Sequence, residues 1–95
     1  MNNTLIERLL EHLWLQARLS QNTLQAYRHD LEKIAARLAL NHLDWLSAQN
    51  TNLAAAIYHP DEQPRSQARA LSACKRLYGW LSDTEQRADN PTERL

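Results

Sequence analysis

The stretch LSQNTLQAYRHDLEKIAARL, residues 19–38, decides the fold. It opens on a polar cluster (Ser20, Gln21, Asn22, Thr23) of the kind that caps a helix start, and it continues without a glycine or proline. Leu24, Tyr27, Leu31, Ile34 and Leu38 recur at steps of 3, 4, 3 and 4, which lines them along one side of an α-helix. The other side begins with Gln25 and Arg28, close behind the helix N-terminus. Free N–H groups and partial positive charge there make a phosphate a natural neighbour. One face suits a core and the other suits a polyanion.

A second helix of similar weight is expected over 65–82. Leu71, Cys74, Tyr78 and Leu81 are spaced 3, 4 and 3 apart, with Ala70 and Leu77 beside them. Arg65, Arg69, Ser72 and Arg76, at steps of 4, 3 and 4, form a separate stripe. Gly79 weakens a helix interior, so a close neighbour packed over it is expected. Before the central helix, Thr4 and Glu7 read as a capping box for a first helix with Leu5, Ile6, Leu9, Leu10, Leu13 and Ala17 inward and Trp14 widening the stripe. The central helix, 22–39, takes Ser20 or Asn22 as its cap. Asn41 and His42 interrupt, and Leu43, Trp45 and Leu46 form an apolar connector. A short helix fits 52–58 with Leu53, Ala56 and Ile57 inward, and the rigid acidic loop 60–64 follows.

Ninety-five residues make one domain, and a single Gly, three Pro and abundant Leu and Ala point to an all-α fold. No apolar run approaches the ~20 residues of a membrane span, and no basic-then-apolar leader precedes the first helix. One cysteine forms no internal disulfide, which fits the cytoplasm. The net charge of zero argues against nucleic-acid binding until its distribution is seen. Residues 63–82 hold Arg65, Arg69, Lys75 and Arg76 and no acid, whereas 83–95 hold Asp83, Glu85, Asp89 and Glu93 against Arg87 and Arg94. The pattern stops after Ser82, and Asp89–Asn90–Pro91 reads as the start of a linker in a chain cut from something longer.

Three segments, LSQNTLQAYRHDL, ARALSACKRLYGWL and NPTERL, together resemble the tyrosine recombinases, the phage-integrase family. The likeness is to the N-terminal core-binding, SAM-like domain of the Xer recombinases, on the XerD-like side of that group. It covers nearly the whole chain and is weakest over 41–63. The resemblance implies a four-helix domain of orthogonally packed helix pairs, over 1–88, with 89–95 leading to a C-terminal catalytic domain. It implies half of a C-shaped clamp on double-stranded DNA at a recombination half-site, for chromosome dimer resolution or integration, with other recombinase subunits joining the full-length protein in a tetramer. The second and fourth helices would approach adjacent major-groove surfaces. The positions matching those contacts are Ser20, Asn22, Thr23, Gln25 and Arg28, then Arg65, Ser66 and Arg69, with Arg76 one turn beyond. The family's catalytic Arg, His, Arg and Tyr belong to the other domain, so the chain itself is expected to be no enzyme.

Other chemistry finds little support. His12, His29, His42 and His59 are too dispersed for paired ligands, and a lone cysteine offers no zinc framework, so no metal or cofactor is expected. Cys74 reads as a small core residue. Trp14, Trp45 and Trp80 read as core or subunit packing ahead of base stacking. No Ser–His–Asp or paired-carboxylate arrangement stands out, and no small-molecule or membrane partner is expected. For the arginines of 65–76 the competing reading is a solvated face with weak surface ion pairs, but the helix holds no acid to pair with them. The alternative function is a helical protein-interaction domain without DNA contact.

Overall fold

The computed structural model describes residues 2–95. Four α-helices carry the chain: α1 (Asn2–His12), α2 (Gln21–Ala39), α3 (Asn50–Ile57) and α4 (Pro64–Asp83). No strand forms among the described residues. The stripe read in 19–38 is the centre of the molecule, since α2 packs against α1, α3 and α4. Leu31, Ile34 and Leu38 are buried, and Leu24 and Tyr27 pack half-buried against the same core.

Each helix boundary has a local cause. Thr4 and Glu7 do not cap α1, because the helix already starts at Asn2 and encloses both. After His12 the helix widens into a π-turn, Leu13–Ala17, which ends where Arg18 turns left-handed at φ 54°. A π-turn bonds i to i+5, so its residues fall out of step with the α-helical stripe. Leu13 remains buried, whereas Ala17 is exposed and Trp14, expected to widen the core stripe, is 49 % exposed. The Ser20 side chain caps α2 by accepting the Thr23 N–H at 3.2 Å. His42, at φ 59°, closes the far end, and the Leu43 N–H then returns to the Leu38 carbonyl at 3.0 Å. α3 begins two residues earlier than its pattern indicates, with the Gln49 N–H donating to Asn52 Oδ1 at 2.8 Å. Pro64 occupies the first turn of α4, where its missing N–H costs nothing.

The core holds Ile6, Leu9 and Leu10 from α1, Leu13 from the π-turn, Leu53, Ala56 and Ile57 from α3, and Ala70, Ala73, Cys74, Leu77, Tyr78, Trp80 and Leu81 from α4. Burial, and next the charge of Asp30, pushes the Cys74 thiol far above its ordinary value, so it stays a protonated core residue. In the connector Trp45 is fully buried while Leu46 is 49 % exposed. The Tyr78 hydroxyl donates to the Trp45 carbonyl at 2.8 Å, and Arg87 Nη1 donates to the same oxygen at 2.9 Å. The Arg87 guanidinium also lies 5.5 Å from the Tyr78 ring centre, which draws the chain after α4 back onto the domain. Beyond it, Thr92 is buried with its hydroxyl donating to Asn90 Oδ1 at 2.6 Å, and Asn50 Nδ2 donates to the Pro91 carbonyl at 3.0 Å. Residues 89–95 are thus fastened to the start of α3 by polar contacts.

Gly79 has no tight neighbour. A Cβ built there meets nothing within 4 Å, so the expected close approach is absent and the glycine only loosens α4. Gly79→Ala should therefore raise stability by about 0.5–1 kcal/mol in urea unfolding; a loss of stability would show that the open space is needed.

Candidate nucleic-acid interface

The residues singled out on α2 form a polar ridge beside its N-terminus. Asn22 and Gln25 are exposed, and Thr23 and Arg28 are half-buried. Ser20 and Thr23 are occupied with each other, their hydroxyl oxygens 3.0 Å apart in addition to the cap bond. Arg28 reaches α1: Nη2 donates to Glu7 Oε1 at 2.7 Å and Nε to Oε2 at 3.0 Å, while Nη1 approaches Gln25 Oε1 at 3.4 Å. The Glu7 hydrogen bonds raise the Arg28 pKa above its already high value, so this guanidinium is permanently charged. Glu7 and Arg28 side chains are 56 % and 36 % exposed, which makes the pair a weak surface contact of about 0–1 kcal/mol.

On α4, Arg65, Arg69, Ser72 and Arg76 are exposed along one stripe and Ser66 is half-buried. Among the described residues neither Arg65 nor Arg76 has an acidic partner. Arg69 does. Its Nε donates to Asp30 Oδ2 at 2.7 Å and its Nη2 to Oδ1 at 3.1 Å, a two-pronged pair with an acid supplied by α2. The expectation that the helix holds no acid fails at its last residue, since α4 extends to Asp83, and Arg69 finds its acid on another helix. The pair is asymmetric, the Asp30 side chain being 1 % exposed and that of Arg69 44 %. Hydrogen bonding to Asp30 is also the main cause of the raised Arg69 pKa.

A further cluster fixes how α4 lies along α2. Glu62, just before α4, takes Lys33 Nζ and Arg37 Nη2 (2.8 Å) on one oxygen, and Arg37 Nη1 donates to the Ala56 carbonyl at 2.8 Å. Glu62 meets residues 33 and 37 and Arg69 meets residue 30, so the start of α4 lies over the middle of α2. Arg76 borders a shallow recess with His12, Leu13, Lys75 and Asp83, beside the end of α1. Lys33 and Arg37 are held by Glu62 and leave the outward basic surface to other residues.

Asp30 and Glu62 were not singled out from the sequence, though Asp30 carried a signal. It lies three residues after Tyr27 and four before Ile34, hence on the core side of α2, where a carboxylate requires a cation from elsewhere. Of the tyrosines, Tyr78 is buried with its pKa pushed well up by that burial, Tyr27 is half-buried and Tyr58 is 46 % exposed. No helix among the described residues is long and apolar enough to cross a membrane.

Comparison with known proteins places this geometry in a family. Residues 6–85 match the model of the phage integrase N-terminal SAM-like domain. The chain belongs to that family. This phage-integrase SAM-like domain is 58 % identical over 95 residues to tyrosine recombinase XerD of Neisseria meningitidis serogroup B, covering 100 % of the chain and 33 % of that protein. It is 37 % identical over 97 residues to tyrosine recombinase XerD of Proteus mirabilis, covering 99 % and 31 %. Against tyrosine recombinase XerD of Vibrio cholerae it is 35 % identical over 94 residues, covering 96 % and 31 %. The domain spans about one third of the length of the curated relatives it matches. Both the all-helical fold and the family resemblance read from the sequence are upheld.

Two measurements check the ion pairs. Arg69→Ala leaves a buried carboxylate without its cation, so it should cost about 1–3 kcal/mol in urea unfolding, with the exposure of Arg69 keeping the loss below that of a fully buried pair. A neutral effect would mean that Asp30 finds another donor. The Glu62 carboxyl is held down from 4.5 to about 2, first by Lys33 and next by Arg37. With the folded value below the unfolded one, the unfolded chain takes up protons first as pH falls. The Glu62 contribution is therefore complete above about pH 5, declines below it and vanishes near pH 2. The difference in thermal midpoint between the native chain and Glu62→Gln should close over that window; a gap independent of pH would contradict the assignment.

Proposed function

We propose that this chain is the DNA-binding domain of a site-specific tyrosine recombinase of the XerD type, holding one face of a recombination half-site with α2 and α4. The observation that carries the reading is the α4 stripe. Arg65, Arg69 and Arg76 stand exposed on a helix whose one acid, Asp83, is its last residue, and Arg69 joins that helix to Asp30 of α2. Guanidiniums so placed repel one another and gain from a polyanion laid across them. The α2 N-terminus adds N–H groups and partial positive charge, with Asn22, Thr23 and Gln25 as polar contacts. Arg28 can exchange its exposed Glu7 partner for a phosphate at small cost. Ser66 sits in the first turn of α4 between Arg65 and Arg69 and belongs to the same surface.

Strand exchange itself is assigned to a catalytic domain that this chain does not supply. Transesterification at phosphorus needs a tyrosine nucleophile within a cradle of Arg and His that stabilises the charged transition state. Tyr78 is committed to the Trp45 carbonyl inside the core, and Tyr58 is bordered by His59 without an arginine in the neighbouring residues. The setting is the cytoplasm, where chromosomal DNA lies, and full-length subunits would assemble on paired sites as a tetramer.

The rival reading, a protein-interaction domain, draws on Trp14 and Leu15, which are 49 % and 61 % exposed beside the groove between α1 and α2. A titration of the chain with duplex DNA over a salt series separates the two. Micromolar or weaker binding that collapses between about 50 and 200 mM salt is expected. Arg65→Ala should lower the slope of log affinity against log salt by about one. Binding that is absent at every salt concentration would exclude the DNA reading.

A further inference from the structure

Arg69 is presented in a particular way. Its Nε–Nη2 edge is occupied by both oxygens of Asp30, at 2.7 and 3.1 Å. A guanidinium is planar and carries five N–H donors, so a carboxylate gripping that edge fixes the plane of the whole group. On the adjoining Nη1–Nη2 edge, which can also bind two oxygens at once, Nη1 and the second N–H of Nη2 have no partner within the described residues. Asp30 is itself immobile: its side chain is 1 % exposed and sits in the middle of α2, next to the buried Leu31. A surface arginine has many rotamers, and ordering one upon binding costs affinity unless the protein has ordered it beforehand.

We propose that Asp30 is a positioning residue for DNA binding, its carboxylate orienting Arg69 so that the free guanidinium edge meets a backbone phosphate. The inference rests on the DNA-binding reading and adds to it a role for an acid. Charge counting assigns Asp30 the opposite effect. A carboxylate this close to DNA repels phosphates, so its removal should tighten binding within the roughly 10 Å over which charges act at 0.1 M salt. Orientation and charge therefore predict opposite signs for one substitution.

The test measures binding of the 95-residue chain to a labelled random-sequence duplex by fluorescence anisotropy at low salt. Urea unfolding checks that each variant is folded under assay conditions. Asp30→Asn keeps the shape and one acceptor and raises the net charge by one. It should nevertheless weaken binding about three- to tenfold, as should Arg69→Ala, and the double variant should be no weaker than Arg69→Ala alone. Arg69→Lys keeps the charge without the planar fork, and a comparable loss is expected from it. Tighter binding by Asp30→Asn, full affinity of Arg69→Lys, or losses that add in the double variant would each overturn the proposal. If Arg65→Ala flattens the salt slope while the Asp30 and Arg69 variants bind normally, the positioning role falls and DNA binding stands. If the native chain binds no duplex, both fall.

Discussion

A carboxylate at 1 % exposure on the core side of a central helix is the constraint around which this domain is arranged. A carboxylate so placed calls for a partner, because desolvating an ion costs several kcal/mol. The cation comes from α4, so the pair ties α4 to α2. The attraction of such a pair is largely offset by desolvation, so it adds little net stability. Its consequence lies in the asymmetry of breaking it, since removing Arg69 takes two hydrogen-bond donors from a buried side chain.

The same contact reconciles a net charge of zero with the polyanion partner proposed above. Much of the basic content is directed inward: Lys33 and Arg37 onto Glu62, and Arg87 onto Asp89 and the Trp45 carbonyl. These side chains hold the loop before α4 and the segment after it. Among the described residues Arg65 and Arg76 have no acidic partner, Arg69 keeps Nη1 open and Arg28 is held by an exposed glutamate. Net charge averages over these populations and so conceals a surface on which the outward cations share one side of α4.

Much of the fold was legible because apolar periodicity and capping are local. The 3–4 spacing from Leu24 to Leu38 and the Ser20 cap required only the geometry of one helix. What escaped depends on contacts between distant segments. The π-turn after His12 has no residue signature, yet it moves Trp14 and Ala17 off the core stripe. The anchoring of 89–95 uses Asn50, Arg87 and Thr92, polar residues that hydrophobic patterning passes over. For the candidate site, the exposed positions on α2 and α4 could be read from spacing, whereas the partners of Arg28 and Arg69 lie 21 and 39 residues away in sequence. Gly79 was read as a packing contact and is an open position, because a glycine does not reveal from sequence alone whether its space is filled.

The central claim is that one continuous face, the start of α2 and the α4 stripe, receives duplex DNA. Isotope-labelled chain titrated with a short duplex, with backbone amide and arginine side-chain N–H resonances followed by NMR, tests it most directly. The account predicts shifts concentrated over residues 20–28 and 65–76, with the Nε–H signals of Arg65 and Arg69 among those that move. Shifts gathered instead around Trp14 and Leu15, or along the groove lined by Leu40, Thr51 and Ala55, would contradict it.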